Sequence, residues 1–235
     1  MTARALVLVA HGTSDRHGQE TVRLVRARVQ RSLPGVRVVA AYVDVQHPRL
    51  DDVVEQLVRD GTRTVIVPLL LSTGYHMEVD VARAADRSSL VTAAPPLGPH
   101  PLLAAVLHDR LLEAGAAPTD PVVLAAAGSS RPEAACSVRA VAEQLGALRP
   151  GRVICGFASA ATPSVPDAIA SAADGKGRVH VASYLIGRGF FHTALQRHGV
   201  PVTEPIGADP RVADLVRERY AGATDAARRI TARSA

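Results

Sequence analysis

The sequence predicts an α/β protein made of two pseudo-repeated α/β/α domains, each a four-stranded parallel sheet flanked by helices. Three observations carry this. Strand-length apolar runs alternate with segments whose apolar residues recur at helical spacing, the order that builds a parallel sheet. That order occurs twice within 235 residues. Each copy also opens on an apolar strand that runs into a glycine, Ala10-His11-Gly12 in the first and Ala126-Ala127-Gly128 in the second.

The elements follow in order. Ala5–Ala10 is continuously apolar and reads as a strand buried on both faces. Over Glu20–Leu33, Val22, Val25 and Val29 mark one face of a helix. Val36–Val43 is the second strand, and Leu50–Val58 is a helix entered after Pro48. Val65–Leu71 is the third strand, Val79–Arg87 a weaker helix and Leu90–Ala93 a short fourth strand. Pro101–Ala114 is a helix stopped by Gly115. After the linker Gly115–Pro121, strands are expected near Val122–Ala126, Val153–Phe157, Val179–Leu185 and Val200–Val202.

The copies overlay segment by segment. Ala41–Pro48 matches Gly156–Pro163, Gly74-Tyr75-His76 matches Gly189-Phe190-Phe191, and Pro96–Pro101 matches Pro205–Pro210. The separation in the middle is 115 residues, the period of a domain and not of a solenoid. The expected domains are therefore 1–115 and 121–235, with a polar tail after Gly222.

Composition narrows the function classes. Hydrophobic residues are 47% and charged residues 21%, which excludes a disordered chain. The longest apolar runs, Val65–Leu71 and Val122–Ala127, fall far short of the roughly 18 residues that span a bilayer. Nothing at the N-terminus has the length of a signal peptide's apolar region, and Cys136 and Cys155 make no disulfide framework. A cytoplasmic location and no membrane partner are expected. Formal net charge is +5, and Lys176 is the only lysine among 27 basic residues. Arginine suits carboxylates and phosphates, so an anionic ligand fits, although arginine-favouring codon usage explains the bias equally well. With 3% aromatics, no tryptophan and no dense basic run, nucleic acid is not an expected partner.

Ligands of open parallel sheets bind beyond the C-terminal strand ends. His11 follows the first strand, Asp44 the second and His76 the third, with Glu78 and Asp80 just beyond. Two imidazoles with carboxylates suit a divalent first-row metal, and they suit proton transfer near neutral pH. The second copy is an internal control. Ala127, Ser159 and Phe191 stand where His11, Asp44 and His76 would be. The first copy is therefore expected to carry the chemistry. Asp80 reads equally as a helix N-cap; His17, His47, His100, His108, His180 and His198 read as helix starts, surface positions or core partners, and His192, one step from the position matched to His76, stays open. Arg16-His17-Gly18 spells the histidine-phosphatase signature but lies beyond the strand end where that motif belongs. Phosphate-binding and nucleophile-elbow glycine motifs are missing.

Leu6–Thr13, Tyr42-Val43-Asp44 with Pro48, and Pro68–His76 with Asp80 together resemble the sirohydrochlorin chelatases, the CbiX/SirB-type class II chelatases. The resemblance runs over most of the chain. It implies a chelatase-like fold, with the second copy as the other wall of a cleft. It also implies ATP-independent insertion of Fe(II) or Co(II), as substrate metal, into the octacarboxylate sirohydrochlorin in siroheme or cobalamin biosynthesis. His11 and His76 map onto the family's paired histidines, as catalytic residues and metal ligands. Asp44, Glu78 and Asp80 would then orient an imidazole or relay protons. Some members carry Glu where this chain has Asp44. No permanent cofactor or iron–sulfur cluster is implied. Arg83, Arg131 and Arg188 are candidate clamps for the substrate carboxylates, and a monomer is expected. A non-catalytic metal-binding protein and a phosphatase acting through His17 remain the alternatives.

Overall fold

The computed structural model describes residues 4–72, 75–173, 175 and 177–233. The chain forms two parallel sheets. In the first, β1 (Arg4–Ala10), β2 (Arg37–Tyr42), β3 (Arg63–Pro68) and β4 (Val91–Ala93) lie in the order β2-β1-β3-β4. The register pairs Ala10 with Tyr42 and Val9 with Pro68, so the strand ends that precede His11 and Asp44 are level. The helices are α1 (Arg16–Ser32), α2 (Leu50–Arg59), α3 (Tyr75–Ala85) and α4 (Pro101–Glu113). On one face of this sheet, Val7, Val9 and Ile66 pack with Leu50, Val54 and Leu57 of α2 and with Val81 and Ala84 of α3. These are the apolar stripes of two amphipathic helices, and their burial is the main force holding this layer.

The second sheet holds β5 (Val122–Ala126), β6 (Val153–Phe157) and β7 (His180–Tyr184) in the order β6-β5-β7. The helices that follow in the chain are α5 (Pro132–Gly146), α6 (Val165–Ala172), the short α7 (Phe190–Leu195) with a 3-10 turn over Gln196–His198, and α8 (Pro210–Arg233). Val123, Ala125 and Val181 pack with Val165, Ala168 and Leu195.

The expected fourth strand of the second copy is only a bridge between Val181 and Val202. Val181 N–H donates to Pro201 O at 2.8 Å, and Thr203 N–H donates to Val181 O at 2.9 Å. The next ladder bonds on either side would need amide hydrogens from residues 201 and 205, and both are proline. Beyond Val181, Ser183 N–H turns to the Thr203 hydroxyl at 3.0 Å, while the Thr203 carbonyl meets His192 Nε2 at 3.1 Å. The second sheet therefore has three strands, against the four expected.

The chain also divides into two compact units that cut across the repeat. One comprises Met1–Leu70, Tyr75–Leu97 and Val212–Ala235; the other comprises Leu71–Gly74 and Gly98–Arg211. By this division α4 packs on α5 and β7 in the second unit. Most of α8 belongs to the first unit, where Arg219 donates to the carbonyls of Pro96 and Leu97 at 2.9 and 3.1 Å.

Candidate active site

The strand order places the candidate residues. β2 lies on one side of β1 and β3 on the other, so the C-terminal ends of β1 and β3 flank the switch in connection direction. His11 is the first residue after β1 and is exposed. Asp44 follows β2 by two residues, and its side chain is 63% exposed. The main chain joins them: Asp44 N–H donates to the His11 carbonyl at 2.9 Å. Gly12 allows this approach. It sits at φ +103°, and a Cβ there would run into the Asp44 carbonyl.

Asp44 Oδ1 accepts from Val45 N–H at 2.8 Å and from Arg49 Nη1 at 3.3 Å. The Val45 amide first, then Arg49, and more weakly His11, hold this carboxyl below the usual carboxylate range. An ionised carboxylate therefore stands beside an exposed imidazole at neutral pH. Together they offer oxygen and nitrogen donors to a borderline divalent metal, and an acceptor for protons.

The sequence reading missed two residues that brace this edge. Gln46 Oε1 accepts from Thr13 N–H at 2.9 Å, tying the turn after β1 to the loop after β2. Arg49 Nη1 donates to Val43 O at 2.8 Å as well as to Asp44. Both flank Asp44 closely in sequence, and that polar clustering was the available signal.

His76 and Glu78 fall in the first turn of α3, but their side chains lie outside the described residues, as does Gly74. Asp80 is not a helix cap. The helix begins at Tyr75 and not at Val79, so Asp80 lies within it, 3.0 Å from Arg83 Nη2. Arg83 also reaches Asp51 of α2 at 3.2 Å, and Arg87 reaches the other Asp51 oxygen at the same distance. Arg83 thus already holds two carboxylates, and the sequence had no means of showing a partner 32 residues away. Arg131 occupies the N-cap position of α5, its N–H donating to Ser129 Oγ at 3.2 Å. Arg188 pairs with Glu204, Nε to Oε2 at 2.8 Å, and this pairing holds the Glu204 carboxyl low.

At the matching edge of the second sheet, Ser159 Oγ donates to the Ala127 carbonyl at 2.9 Å. His192, beside the position matched to His76, is buried against Thr203 and serves the core. His100 caps α4, its Nδ1 accepting from Leu102 N–H at 3.2 Å. His17 lies in the first turn of α1, where its N–H donates to Asp15 Oδ1 at 2.8 Å, so Arg16–Gly18 opens a helix and does not end a strand. Among the described residues, no three His, Cys, Asp or Glu side chains gather as a metal site. No described helix is long and apolar enough to cross a membrane.

Comparison with known proteins bears on the family and the fold. The family model of CbiX matches residues 5–114 and 121–223. The sirohydrochlorin cobaltochelatase of Sulfolobus acidocaldarius is 28% identical over 95 residues, covering 38% of this chain and 76% of that protein. The chloroplastic sirohydrochlorin ferrochelatase of Arabidopsis thaliana is 30% identical over 122 residues. That match takes in 46% of this chain and about half of the plant protein, 52%. Among solved structures, SirB from Bacillus subtilis with Fe3+ has a TM-score of 0.80 at 21% identity, covering 93% of this chain and 94% of that one. At that identity the likeness speaks for the fold alone. The family match takes in both copies and the edge that carries His11 and Asp44, and the chain belongs to the CbiX family.

Proposed function

We propose that this chain is a sirohydrochlorin chelatase that inserts Fe(II) or Co(II) without ATP. The observation that carries the reading is the family match through both copies, joined to an exposed imidazole beside an ionised carboxylate at the switch of the first sheet. Curated relatives bear the names of both a cobaltochelatase and a ferrochelatase, so both metals stay in the proposal.

Metal insertion exchanges one divalent cation for two pyrrole N–H protons, and the metal must shed water on the way. His11 and His76 take both tasks in this reading. A neutral imidazole donates its lone pair to the incoming metal, or accepts a pyrrole proton and returns it to solvent. Asp44 orients the His11 edge and stabilises positive charge there, whether metal or imidazolium. Glu78 and Asp80 extend the proton path along α3. Arg131 and Arg188 bind rim carboxylates, and Arg83 does so by sharing the carboxylates it already holds. The 1–115 copy carries the chemistry, and the 121–235 copy supports it. No resident cofactor is needed, because the metal is a substrate. A monomer in the cytoplasm completes the reading; Cys136 and Cys155 are both free thiols, as a reducing compartment requires.

The test is anaerobic absorbance of sirohydrochlorin with protein and Fe(II) or Co(II), against a protein-free control. Accelerated conversion to the metallated spectrum is expected, and His11→Ala and His76→Ala are each expected to abolish it with circular dichroism unchanged. Full activity in both variants would overturn the site. Metal binding without acceleration would leave a metal carrier instead.

A further inference from the structure

The second copy has lost the metal-ligating pattern, but its matching edge is not featureless. The chain has only three phenylalanines, and two of them, Phe190 and Phe191, stand together at the start of α7, beyond the C-terminal end of β7. Phe190 is 82% exposed, far more than the other exposed large hydrophobic side chains among the described residues. A lone apolar side chain on a surface calls for no partner; here two aromatic rings stand together, with a guanidinium two residues away. The Phe190 ring centroid lies 5.5 Å from that of Phe191 at an interplanar angle of 73°, an edge-to-face contact that favours this orientation. Phe191 is only partly exposed and is the residue matched to His76.

Two residues before Phe190, Arg188 forms its exposed pair with Glu204, with side-chain exposures of 46% and 50%. The pair is bidentate but open to solvent, so a ligand carboxylate would share the guanidinium with Glu204. An exposed aromatic ring two residues from an exposed guanidinium matches one ligand chemistry: a flat conjugated disc rimmed with carboxylates. We propose that Phe190, supported by Phe191, is a stacking platform for the face of the tetrapyrrole, with Arg188 taking one of its rim carboxylates. This rests on the chelatase reading. It assigns the second copy a binding role and explains why an aromatic ring stands where a metal ligand would compete for the ion.

The experiment is equilibrium binding of metal-free sirohydrochlorin, followed by absorbance and fluorescence quenching, together with steady-state KM for sirohydrochlorin and Kd for Co(II) alone. Phe190→Ala is expected to raise the sirohydrochlorin Kd and KM about tenfold and leave the Co(II) Kd unchanged. Phe190→Trp is expected to restore tight binding. The ring is on the surface, so neither variant should disturb folding. If the wild type neither binds nor metallates sirohydrochlorin, the chelatase reading itself fails. If the wild type does both and Phe190→Ala binds equally well, the platform alone is overturned. A wild-type dimer that Phe190→Ala dissociates, with the Kd unchanged, would assign the ring to a second copy of this chain and also overturn it.

Discussion

After β1, Gly12 turns the chain against the carbonyl of Asp44; after β5, Gly128 turns it against the carbonyl of Ser159. Both glycines have positive φ, and at both places a Cβ would collide with the facing backbone. One step further, Val45 and Ala160 occupy the left-handed region at φ 61° and 54°. Backbone strain at a site often signals function, but here it occurs equally in a copy that has Ala127 and Ser159 in place of His11 and Asp44. The strain therefore belongs to the scaffold that makes the edge, and the side chains decide what the edge does. The turn geometry is common to both copies, and the histidine and aspartate stand in only one.

The strongest way to break that comparison is at His11. His11→Ala is expected to lower the metallation rate at least about a hundredfold, the usual scale for removing a proton-transfer group. Ala127→His in the second copy should leave the rate and the metal stoichiometry unchanged, because Ser159 and Phe191 supply no further ligand. A gain of a second metal site in Ala127→His, by titration calorimetry, would show that the copies differ less than their side chains suggest.

Gly12→Ala and Gly128→Ala separate scaffold from chemistry. Each forces a Cβ into a facing carbonyl at a backbone angle that alanine resists, and each should cost about 2–4 kcal/mol in chemical denaturation. Gly12→Ala should also lose activity in the folded fraction, since it displaces the loop carrying Asp44. Gly128→Ala should keep most of it. Equal loss of activity in the two variants would put the chemistry in both copies.

Much of this was legible in the sequence, for physical reasons that also mark where reading failed. Buried parallel strands are continuous apolar runs, so β1 and β5 fall where the runs are. The starts of α2 at Leu50 and α4 at Pro101 are marked by the sequence, whereas those of α1 and α3 lie about a turn earlier than the apolar spacing shows. α1 begins at Arg16 and not at Glu20, and its signal was Asp15, whose carboxylate caps His17 and Gly18 N–H at 2.8 and 3.0 Å. The missing eighth strand was written in Pro201 and Pro205, which outweigh the β-propensity of Val200 and Val202. At the site, the convergence of His11 and Asp44 followed from topology alone. The pairing of Arg83 with Asp51 and Asp80 did not, because charges on two helices meet only through packing.

The lost strand yields a third prediction. Thr203 is 1% exposed, and its hydroxyl takes the Ser183 amide where a ladder carbonyl would normally serve. The matched residue of the first copy, Ala94, needs no such side chain, because the residue matched to Ser183 is Pro68, which has no amide hydrogen to satisfy. Thr203→Val keeps the shape and removes the acceptor, leaving a buried N–H unpaired. It should destabilise the protein by about 1–3 kcal/mol without changing the sirohydrochlorin KM. An unchanged denaturation midpoint would mean that the Ser183 amide finds the Thr203 carbonyl instead.

The mildest contrast is in pH. Val65 of β3 is matched in β7 by His180, whose side chain is buried with Nε2 3.3 Å from Asp120 Oδ2. Burial, the largest influence, pushes the His180 pKa below its ordinary 6.5; Asp120 pulls the other way, while Arg178 and Arg149 add to the lowering. The folded state therefore binds a proton at His180 less readily than the unfolded chain. Above pH 6.5 both states are neutral there and nothing is lost; below it the unfolded state gains protons first, and stability falls. Asp120, held below its ordinary value chiefly by the Ala117 amide, acts in a separate and lower range, losing its contribution only as pH drops beneath the usual carboxylate value. The thermal midpoint should therefore decline between pH 7 and 5, and His180→Val should flatten that decline, since Asp120 keeps the amide hydrogens of Ala117 and Arg178. A slope unchanged in His180→Val would move the acid sensitivity away from this strand and leave the two sheets alike in their response to protons.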